Sequence, residues 1–488
     1  MEKTTYENDI DQIWDLLGMS KGILKEEQFF ELLITLILIK FVILKKNMIN
    51  LNTETQGSDV NFPNIPDDMR FKELYENIKE PYFLKNLCSF IERLKYDSFN
   101  QLEITQTFKY LQNLALKDDK RINSLVYRLM MTVDQIVNIK LLEAQKHETN
   151  IGTLFNIILT KYANYMSKKG DENFTPLEIS KLMAKLVGPT EGEEIYDPVC
   201  GSSSLLIRVA KEIQGNRFSL YGQEINIRTA AISKINMILN GMDSVSNIAQ
   251  GDTLRNPMFH DGETLKKFDL VVTNPPFAVS NWGYEEAHHD PYNRYMRGIP
   301  PKRNGDYAFI LHAIESLNKD INKQSRLCIV TSNGVLFRGG AEGKIRENLI
   351  KENLLDAVIA LPANLFYGTG ISCSILIFKT NKKDKKVLFI DASEMCHKKD
   401  RIKNRLGEEH IFQILDIYTE YKSLDSISYV ADYSEIKEND FNLTVSRYIT
   451  FVQEEEIDLK VEMDEIEIIE KKILAIQKEM HKSLKNFK

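Results

Sequence analysis

Phe268-Asp269-Leu270-Val271-Val272-Thr273-Asn274-Pro275-Pro276-Phe277 carries an apolar strand directly into an asparagine, two prolines and an aromatic ring. An unbroken run such as Leu270–Thr273, with no polar alternation, predicts a strand covered on both faces, as in the middle of a parallel sheet. Pro275 and Pro276 stiffen the turn after it, because proline fixes its own φ and has no N–H to offer. Such a turn suits a particular chemistry. The amine of an aromatic ring is a poor nucleophile, since its lone pair is delocalised into the ring. Two acceptors aimed at its hydrogens draw the nitrogen towards tetrahedral geometry and free that pair. The side-chain oxygen of Asn274 and the backbone carbonyl of Pro275 are the candidate acceptors, with Pro276 helping to hold the carbonyl in place. Phe277 supplies a flat face on which a ring can stack. The bland alternative is a stiff turn after a strand and nothing more.

Outward from that turn, short apolar segments alternate with helical ones between residues 150 and 395. Strands are expected at Glu194–Tyr196, Ser219–Gln223, Asn247–Gln250, Leu270–Thr273, Leu327–Thr331, Ala357–Leu361, Cys373–Phe378 and Val387–Ile390. The clearest helices are Leu205–Ile213, Arg228–Leu239, Tyr307–Leu317 and Glu342–Lys351. The alternation predicts an α/β fold, a Rossmann-like and mostly parallel sheet with helices on its faces. Ligands bind such sheets beyond the carboxyl ends of the strands, and four segments fall there or close by. Asp197-Pro198-Val199-Cys200-Gly201-Ser202-Ser203-Ser204 joins the first strand to a helix. Gly201, Ser202 and Ser203 make a tight turn, the helix start offers unpaired N–H groups to a ligand carboxylate, and Asp197 is placed to hold an ammonium. Glu224 ends the second strand, where a carboxylate accepts both hydroxyls of a ribose. Gly251-Asp252-Thr253 follows the third, with Asp252 placed to accept from an adenine amine. Upstream, Phe174-Thr175-Pro176 offers the Thr175 hydroxyl to a carboxylate. Each segment alone reads equally well as an ordinary turn; their order is what points to a nucleotide-like ligand.

The remaining sequence sets bounds. With 488 residues, more than one core is expected. Residues 1–150 read as a helical domain, with helical stretches at 29–44, 70–95, 101–117 and 120–146 and a polar loop from Asn47 to Pro66. Residues 151–450 read as the α/β domain, and 451–488 as an amphipathic C-terminal helix. In that helix Ile466, Ile469, Ile473, Ile476 and Met480 step by three and four, a seam suited to subunit docking. Formal net charge is −7, so a nucleic-acid-binding role requires basic residues gathered on one surface or supplied by a partner. Arg294, Arg297, Lys302 and Arg303, in the segment that follows the Asn-Pro-Pro turn, are the basic cluster expected near phosphates. The five cysteines contain no Cys-x-x-Cys pair, which argues against zinc and against a disulfide framework. His288-His289-Asp290 is not read as a metal site either. The run Phe29 to Leu44 is interrupted by Glu31 and Lys40 and reads as a core helix, not a membrane span. The opening MEKTTYENDIDQ lacks a signal-peptide pattern, so a cytoplasmic protein is expected.

In this order, Phe-Thr-Pro, Asp-Pro-x-Cys-Gly-Ser, Gly-Gln-Glu, Gly-Asp-Thr and Asn-Pro-Pro-Phe resemble the amino-methyltransferases of DNA. Gly298-Ile299-Pro300-Pro301, Gly305-Asp306-Tyr307-Ala308-Phe309, Leu361-Pro362-Ala363-Asn364-Leu365-Phe366-Tyr367-Gly368-Thr369-Gly370 and Asn442-Leu443-Thr444-Val445-Ser446-Arg447-Tyr448 narrow the likeness to the modification (M) subunit of type I restriction-modification systems. The resemblance covers residues from about 145 to 450. It implies a class I methyltransferase fold, S-adenosyl-L-methionine as cofactor, and methylation of N6 of an adenine flipped out of double-stranded DNA. It also implies a separate specificity (S) subunit, a second M subunit and recruitment of a restriction (R) subunit. Carried onto this chain, Asn274, Pro275, Pro276 and Phe277 are catalytic. Thr175, Pro176, Asp197, Gly201, Ser202, Ser203, Glu224, Asp252 and Thr253 hold the cofactor, and no metal is needed. One departure stands out: Ser203 replaces the glycine of the family's Gly-Ser-Gly turn. If that position has positive φ, serine is strained there and is expected to crowd the cofactor. Three other functions fit less well: a protein or RNA methyltransferase, a single-chain restriction-modification enzyme, and a catalytically impaired scaffold that binds DNA or a partner.

Overall fold

The structure is a computed structural model that describes residues 7–51, 69–76, 83–95, 120–138, 150–167, 175–366, 372–398 and 404–449, with Asn113 and isolated positions between 469 and 480. Among the described residues five helices come first: α1 (Glu7–Met19), α2 (Glu26–Leu51), α3 (Phe83–Lys95), α4 (Lys120–Ile136) and α5 (Ile151–Ser167). Their apolar faces share one core. The expected run 29–44 lies within α2, which continues past Asn47 to Leu51, so the first residues of the expected loop are helical; the rest of that loop, 52–66, lies outside the described residues. Lys40, which broke the apolar run, is ion-paired with Asp134 of α4. Among the described residues no helix is long and apolar enough to cross a membrane. Residues 70–95 are not one helix: a short 3-10 turn, Phe71–Leu74, precedes α3. The stretch 101–117 lies outside the described residues apart from Asn113.

From α6 (Leu177–Val187) the texture becomes α/β. In chain order follow β1 (Glu194–Asp197), α7 (Ser204–Glu212), β2 (Ser219–Glu224), α8 (Ile227–Leu239), β3 (Ser246–Gln250), β4 (Leu270–Thr273), α9 (Asp306–Glu315), β5 (Arg326–Ser332), α10 (Ala341–Lys351), β6 (Leu355–Ala360), β7 (Cys373–Lys379) and β8 (Lys386–Asp391). A small hairpin, β9 (His397–Lys398) with β10 (Asn404–Arg405), α11 (Glu408–Glu420), β11 (Ser428–Asp432) and α12 (Tyr433–Glu438) complete it. The nine-stranded sheet runs β11-β8-β6-β7-β5-β4-β1-β2-β3. Strands β1 to β5 pair in parallel, β7 is antiparallel to both β5 and β6, and β11 caps the β8 edge antiparallel. The expected Rossmann-like fold is present; of the described strands the sequence reading lacked the edge strand β11 and the hairpin, and it did not name the helices α6, α11 and α12.

Alternate residues of the central strands explain the layering. Leu270 and Val272 enter the core shared with α6, α7 and α11, while Val271 enters the core shared with α9 and α10. A strand buried on both faces needs apolar residues at every position, as Leu270–Val272 provides. Tyr196 of β1 stands opposite both Tyr221 of β2 and Val271 of β4, so these strands end at one edge of the sheet. The first core also includes Ile235 and Leu239, which seats the N-terminal helices on α8. In the C-terminal tail Ile469, Ile473, Ile476 and Met480 are helical and exposed; Ile466 lies outside the described residues.

Candidate active site

A cavity of about 620 Å³ opens at the carboxyl ends of β1, β2, β3 and β4. Its wall takes Asp197, Gly201, Ser202 and Ser204 from the turn after β1, Glu224 and Ile225 after β2, and Asp252 and Thr253 after β3. Asn274 and Pro276 come from the turn after β4, and Thr175 and Pro176 from the start of α6. The five segments singled out in the sequence therefore share one chamber. Pro275, Phe277 and Ser203 are the expected site residues that do not line it. Phe277 packs edge to face on Phe366, with ring centroids 6.0 Å apart.

Asp197 is buried, and its Oδ1 accepts from the Val199 N–H at 3.0 Å. Burial pushes the carboxyl up to about 7; the Val199 bond pulls against that rise and nearby Glu224 adds to it. A cation arriving at Asp197 would relieve the desolvation that raises it. Glu224 is fixed by two backbone donors, Gly201 N–H at 3.1 Å on Oε2 and Asn226 N–H at 2.8 Å on Oε1. The carboxylate lines the cavity, where an acceptor-only group suits hydroxyl donors. Asp252 Oδ1 accepts from the Leu254 N–H at 2.9 Å, and its Oδ2 from Arg255 Nη1 at 3.1 Å. Gly222 and Cys200 explain how the first two turns come so close: a Cβ at 222 would lie 2.8 Å from the Cys200 sulfur.

Ser203 does have positive φ, at 60°. Its side chain turns away from the cavity into α8, where its hydroxyl bonds that of Ser233. The serine is strained as expected but stands behind the wall and not in the ligand's space.

At the reaction turn the Asn274 amide nitrogen donates to Thr175 Oγ1 at 2.8 Å. That bond orients the amide, and the opposite atom, Asn274 Oδ1, is buried without a hydrogen-bond partner. A buried acceptor left bare costs free energy, of order 1–3 kcal/mol. One facing a cavity is a place for a ligand donor.

The N-6 DNA methylase family matches residues 146–457, well over half of the chain. The chain belongs to that family. Its relatives include the type I restriction enzyme MjaVII methylase subunit of Methanocaldococcus jannaschii, 37% identical over 338 residues that cover 66% of this chain and 57% of that protein. The type I restriction enzyme MpnII methylase subunit of Mycoplasma pneumoniae is 28% identical over an alignment covering 99% of this chain and 96% of its own length. A solved structure, the methyltransferase subunit of a type I restriction-modification system from Streptococcus thermophilus, superposes with a TM-score of 0.74 at 25% identity, over 91% of this chain and 99% of that one. The chain thus matches a little over half the length of the MjaVII subunit and nearly all of the other two. Family membership agrees with the resemblance drawn from the motifs.

One expectation about this family member is overturned. Arg294 and Arg297 are buried and cannot reach phosphates. Arg294 forks onto Asp290 at 2.7 and 2.8 Å and donates to the Thr253 and Leu254 carbonyls at 3.2 and 2.9 Å. Arg297 pairs with Glu315 of α9 and with Glu352. The segment after the reaction turn folds down onto α9 and α10, and its arginines serve to pin it. Lys302 is exposed but ion-paired with Glu285, and Arg303 is exposed. Asp290 is engaged by Arg294, while His288 and His289 sit apart from the cavity. Among the described residues the closest set of metal-ligating atoms is His397, Glu409 and His410, also away from the cavity.

Sequence reasoning gave no role to several polar residues around the site, because a motif such as Gly222-Gln223-Glu224 does not show which distant groups its members bind. Asn156 of α5 accepts from Ser204 Oγ at 3.1 Å and from Asn236 Nδ2 at 3.2 Å, and Asn236 also donates to the Ser202 carbonyl at 2.8 Å. Gln223 grips the loop after β3, donating to the Asn256 carbonyl at 2.9 Å and accepting from the Met258 N–H at 3.0 Å. Beneath Thr253 lies a buried cluster in which its hydroxyl meets His312 at 3.2 Å and Tyr196 at 3.3 Å. Burial, and then the Arg294 guanidinium, hold the His312 imidazole well below its usual range, so it stays neutral.

Proposed function

We propose that this chain is the modification subunit of a type I restriction-modification complex and methylates N6 of adenine in double-stranded DNA. The observation that carries the reading is the bare, buried Asn274 Oδ1. Its partner atom Nδ2 is already spent on Thr175, so the unsatisfied atom of this amide, in a residue that lines the cavity, is an acceptor and not a donor. A ring amine has the hydrogens to satisfy it; a carbonyl or ring nitrogen does not. Asn274 Oδ1 takes one amine hydrogen and the Pro275 carbonyl the other, which moves the lone pair out of conjugation. Phe277, packed on Phe366 outside the chamber wall, would have to turn inward to give the flipped base an apolar face.

The residues present fit S-adenosyl-L-methionine. Asp197 and the start of α7 would hold its amino-acid end, with Thr175 and Pro176 nearby; Glu224 would hold its ribose, and Asp252 with Thr253 its adenine. When bound there it supplies an electrophilic methyl group on a sulfonium. Gly201 and Ser202 let the backbone approach it, and Ser203 supports the turn from behind. The adenine must leave the duplex to reach the chamber, at a cost of a few kcal/mol. In this reading the helical residues 1–150 flank a methyltransferase domain at 151–450, and residues 451–488 dock a specificity subunit that reads the DNA sequence. A second copy of the chain and a restriction subunit complete the assembly, in the cytoplasm.

The test is transfer of labelled methyl from S-adenosyl-L-methionine to duplex DNA by the full chain, with and without the specificity subunit, followed by identification of the modified base. Label on adenine N6 supports the reading. Label on cytosine, on protein or nowhere ends it. Deleting residues 453–488 should release the specificity subunit; a complex that survives the deletion refutes the docking assignment.

A further inference from the structure

The turn that carries Asn274 is anchored at both ends, with only the four residues Asn274 to Phe277 between the anchors. At its start it leaves β4 in the middle of the sheet. At its end Ala278 takes φ 54°, in the left-handed region that a residue with a Cβ adopts at a steric cost. Asp306 holds it there: the Ala278 N–H donates to Asp306 Oδ1 at 2.7 Å. One residue on, the Val279 carbonyl accepts from the Gly305 N–H at 2.9 Å. These two rungs tie residues 278 and 279 to the start of α9. The second rung requires glycine, since a Cβ at 305 would lie 2.7 Å from that of Trp282, a buried residue of the cavity wall.

Asp306 is itself firmly placed. Its Oδ2 accepts from Ser332 Oγ at 3.1 Å and from Arg338 Nη2 at 2.7 Å, and Arg338 is held in turn by Glu342. The carboxyl is buried and stands in the first turn of α9, where the helix dipole favours negative charge. Neither Asp306 nor Arg338 lines the cavity.

We propose that Asp306 is a positioning residue for methyl transfer: through Ala278 it sets where the Asn274 and Pro275 acceptors point, without touching cofactor or base. The proposal rests on the reading of Asn274 given above. Two acceptors that must meet two N–H groups at once tolerate little displacement. Misplacement by about 1 Å costs on the order of 10²-fold in rate.

The experiment uses the full chain with its specificity subunit and compares wild type, Asp306→Ala, Asp306→Asn and Asp306→Ala/Ala278→Gly. Three quantities are read: the single-turnover methyl-transfer rate, the cofactor Kd, and amide exchange of the peptide spanning 274–282. Asp306→Ala should slow transfer about 10²-fold, leave the cofactor Kd within about threefold, and speed exchange at Ala278. Asp306→Asn keeps an oxygen for the Ala278 N–H but loses the charge that binds Arg338, and should slow transfer about three- to tenfold. Adding Ala278→Gly to Asp306→Ala should return part of the rate, because glycine takes positive φ unaided. If Asp306→Ala does not fold, Asp306→Asn carries the test and must slow transfer without weakening cofactor binding. A variant rate within twofold of wild type, or a loss that appears equally in cofactor Kd, overturns the proposal. A wild type that methylates no adenine sinks the reading of the site and the proposal with it, whereas an active wild type with an indifferent Asp306 sinks the proposal alone.

Discussion

Ser203 and Ala278 each carry a Cβ through the left-handed region, at φ 60° and 54°, one in the turn after β1 and the other in the turn after β4. They are held by different means. Ser203 brings its own hydroxyl to Ser233, so the residue under strain also supplies the bond that offsets it. Ala278 has no such group and relies on Asp306, which lies 28 positions further along the chain. In the turn after β1 the strained residue's own side chain makes the bond, to Ser233 of α8 30 positions on, while in the turn after β4 only the backbone N–H is offered and the side chain comes from the start of α9. Left-handed placement of a residue with a Cβ costs about 1 kcal/mol or somewhat more, comparable with what one hydrogen bond contributes. Each turn is close to balanced, and loss of its single bond should be felt.

The widest separation between the turns should come from Asn274→Ala. It removes the acceptor and leaves the turn after β1 intact, so transfer should fall about 10²–10³-fold with cofactor affinity within a few-fold. Single-turnover rates alongside calorimetry measure both, and near-normal turnover would remove Asn274 from the mechanism. On the cofactor side Asp252→Ala should do the reverse, weakening cofactor binding on the order of 10–100-fold, the range for a hydrogen bond to a charged group. A loss of rate at saturating cofactor with unchanged affinity would contradict that division. Smaller again is the pH effect at Asp197. Its carboxyl is raised from 3.8 to about 7, so in the ligand-free protein the protonated form is favoured. Its contribution to stability is complete below the unfolded value and is lost as pH rises through 7. A cationic ligand needs the ionised form, so affinity for S-adenosyl-L-methionine should rise about tenfold between pH 6 and pH 8, with a matching gain in ligand-induced thermal stabilisation. Asp197→Asn should flatten that dependence; a slope that survives the substitution assigns it to another group. The smallest effect is expected at Ser203. Ser203→Ala keeps the strain and loses the bond, at a cost of about 1–2 kcal/mol. Ser203→Gly loses both and should stay within about 1 kcal/mol of wild type. Thermal melts that rank alanine above glycine would mean that the turn stores no strain.

Much of this was legible in the sequence, for identifiable reasons. Leu270–Thr273 had to be a covered strand because no polar residue interrupts it, and the Asn-Pro-Pro-Phe turn declares itself through residue types that have few other uses together. The segments that line the cavity were picked out by order and context. What escaped is long-range and polar. Arg294 and Arg297 look like phosphate contacts in one dimension, because a charge in a loop reads as exposed until its partners are known. The partners of Arg297, Glu315 and Glu352, lie 18 and 55 positions away, and Arg294, besides Asp290 four positions back, reaches carbonyls 41 and 40 positions away. Asp306 was quoted only as part of a family motif; that it braces Ala278 follows from a contact no periodicity encodes. Strand β11 escaped because Ser428–Asp432 mixes small, aromatic and charged residues, an edge strand that need not be apolar throughout.

Asn156 has a consequence for how the chain can be divided. Its helix, α5, buries Ile151, Leu154, Phe155 and Ile158 among the N-terminal helices. Its amide oxygen nevertheless receives Ser204 and Asn236 from the turn and helix of the methyltransferase half. Severing the chain at Thr175 would therefore remove one side of the ligand chamber, take a shared acceptor from two donors and bare Ile235 and Leu239 to water. A change of texture along the sequence marks where the architecture changes, yet the wall of the ligand chamber takes residues from both sides of it.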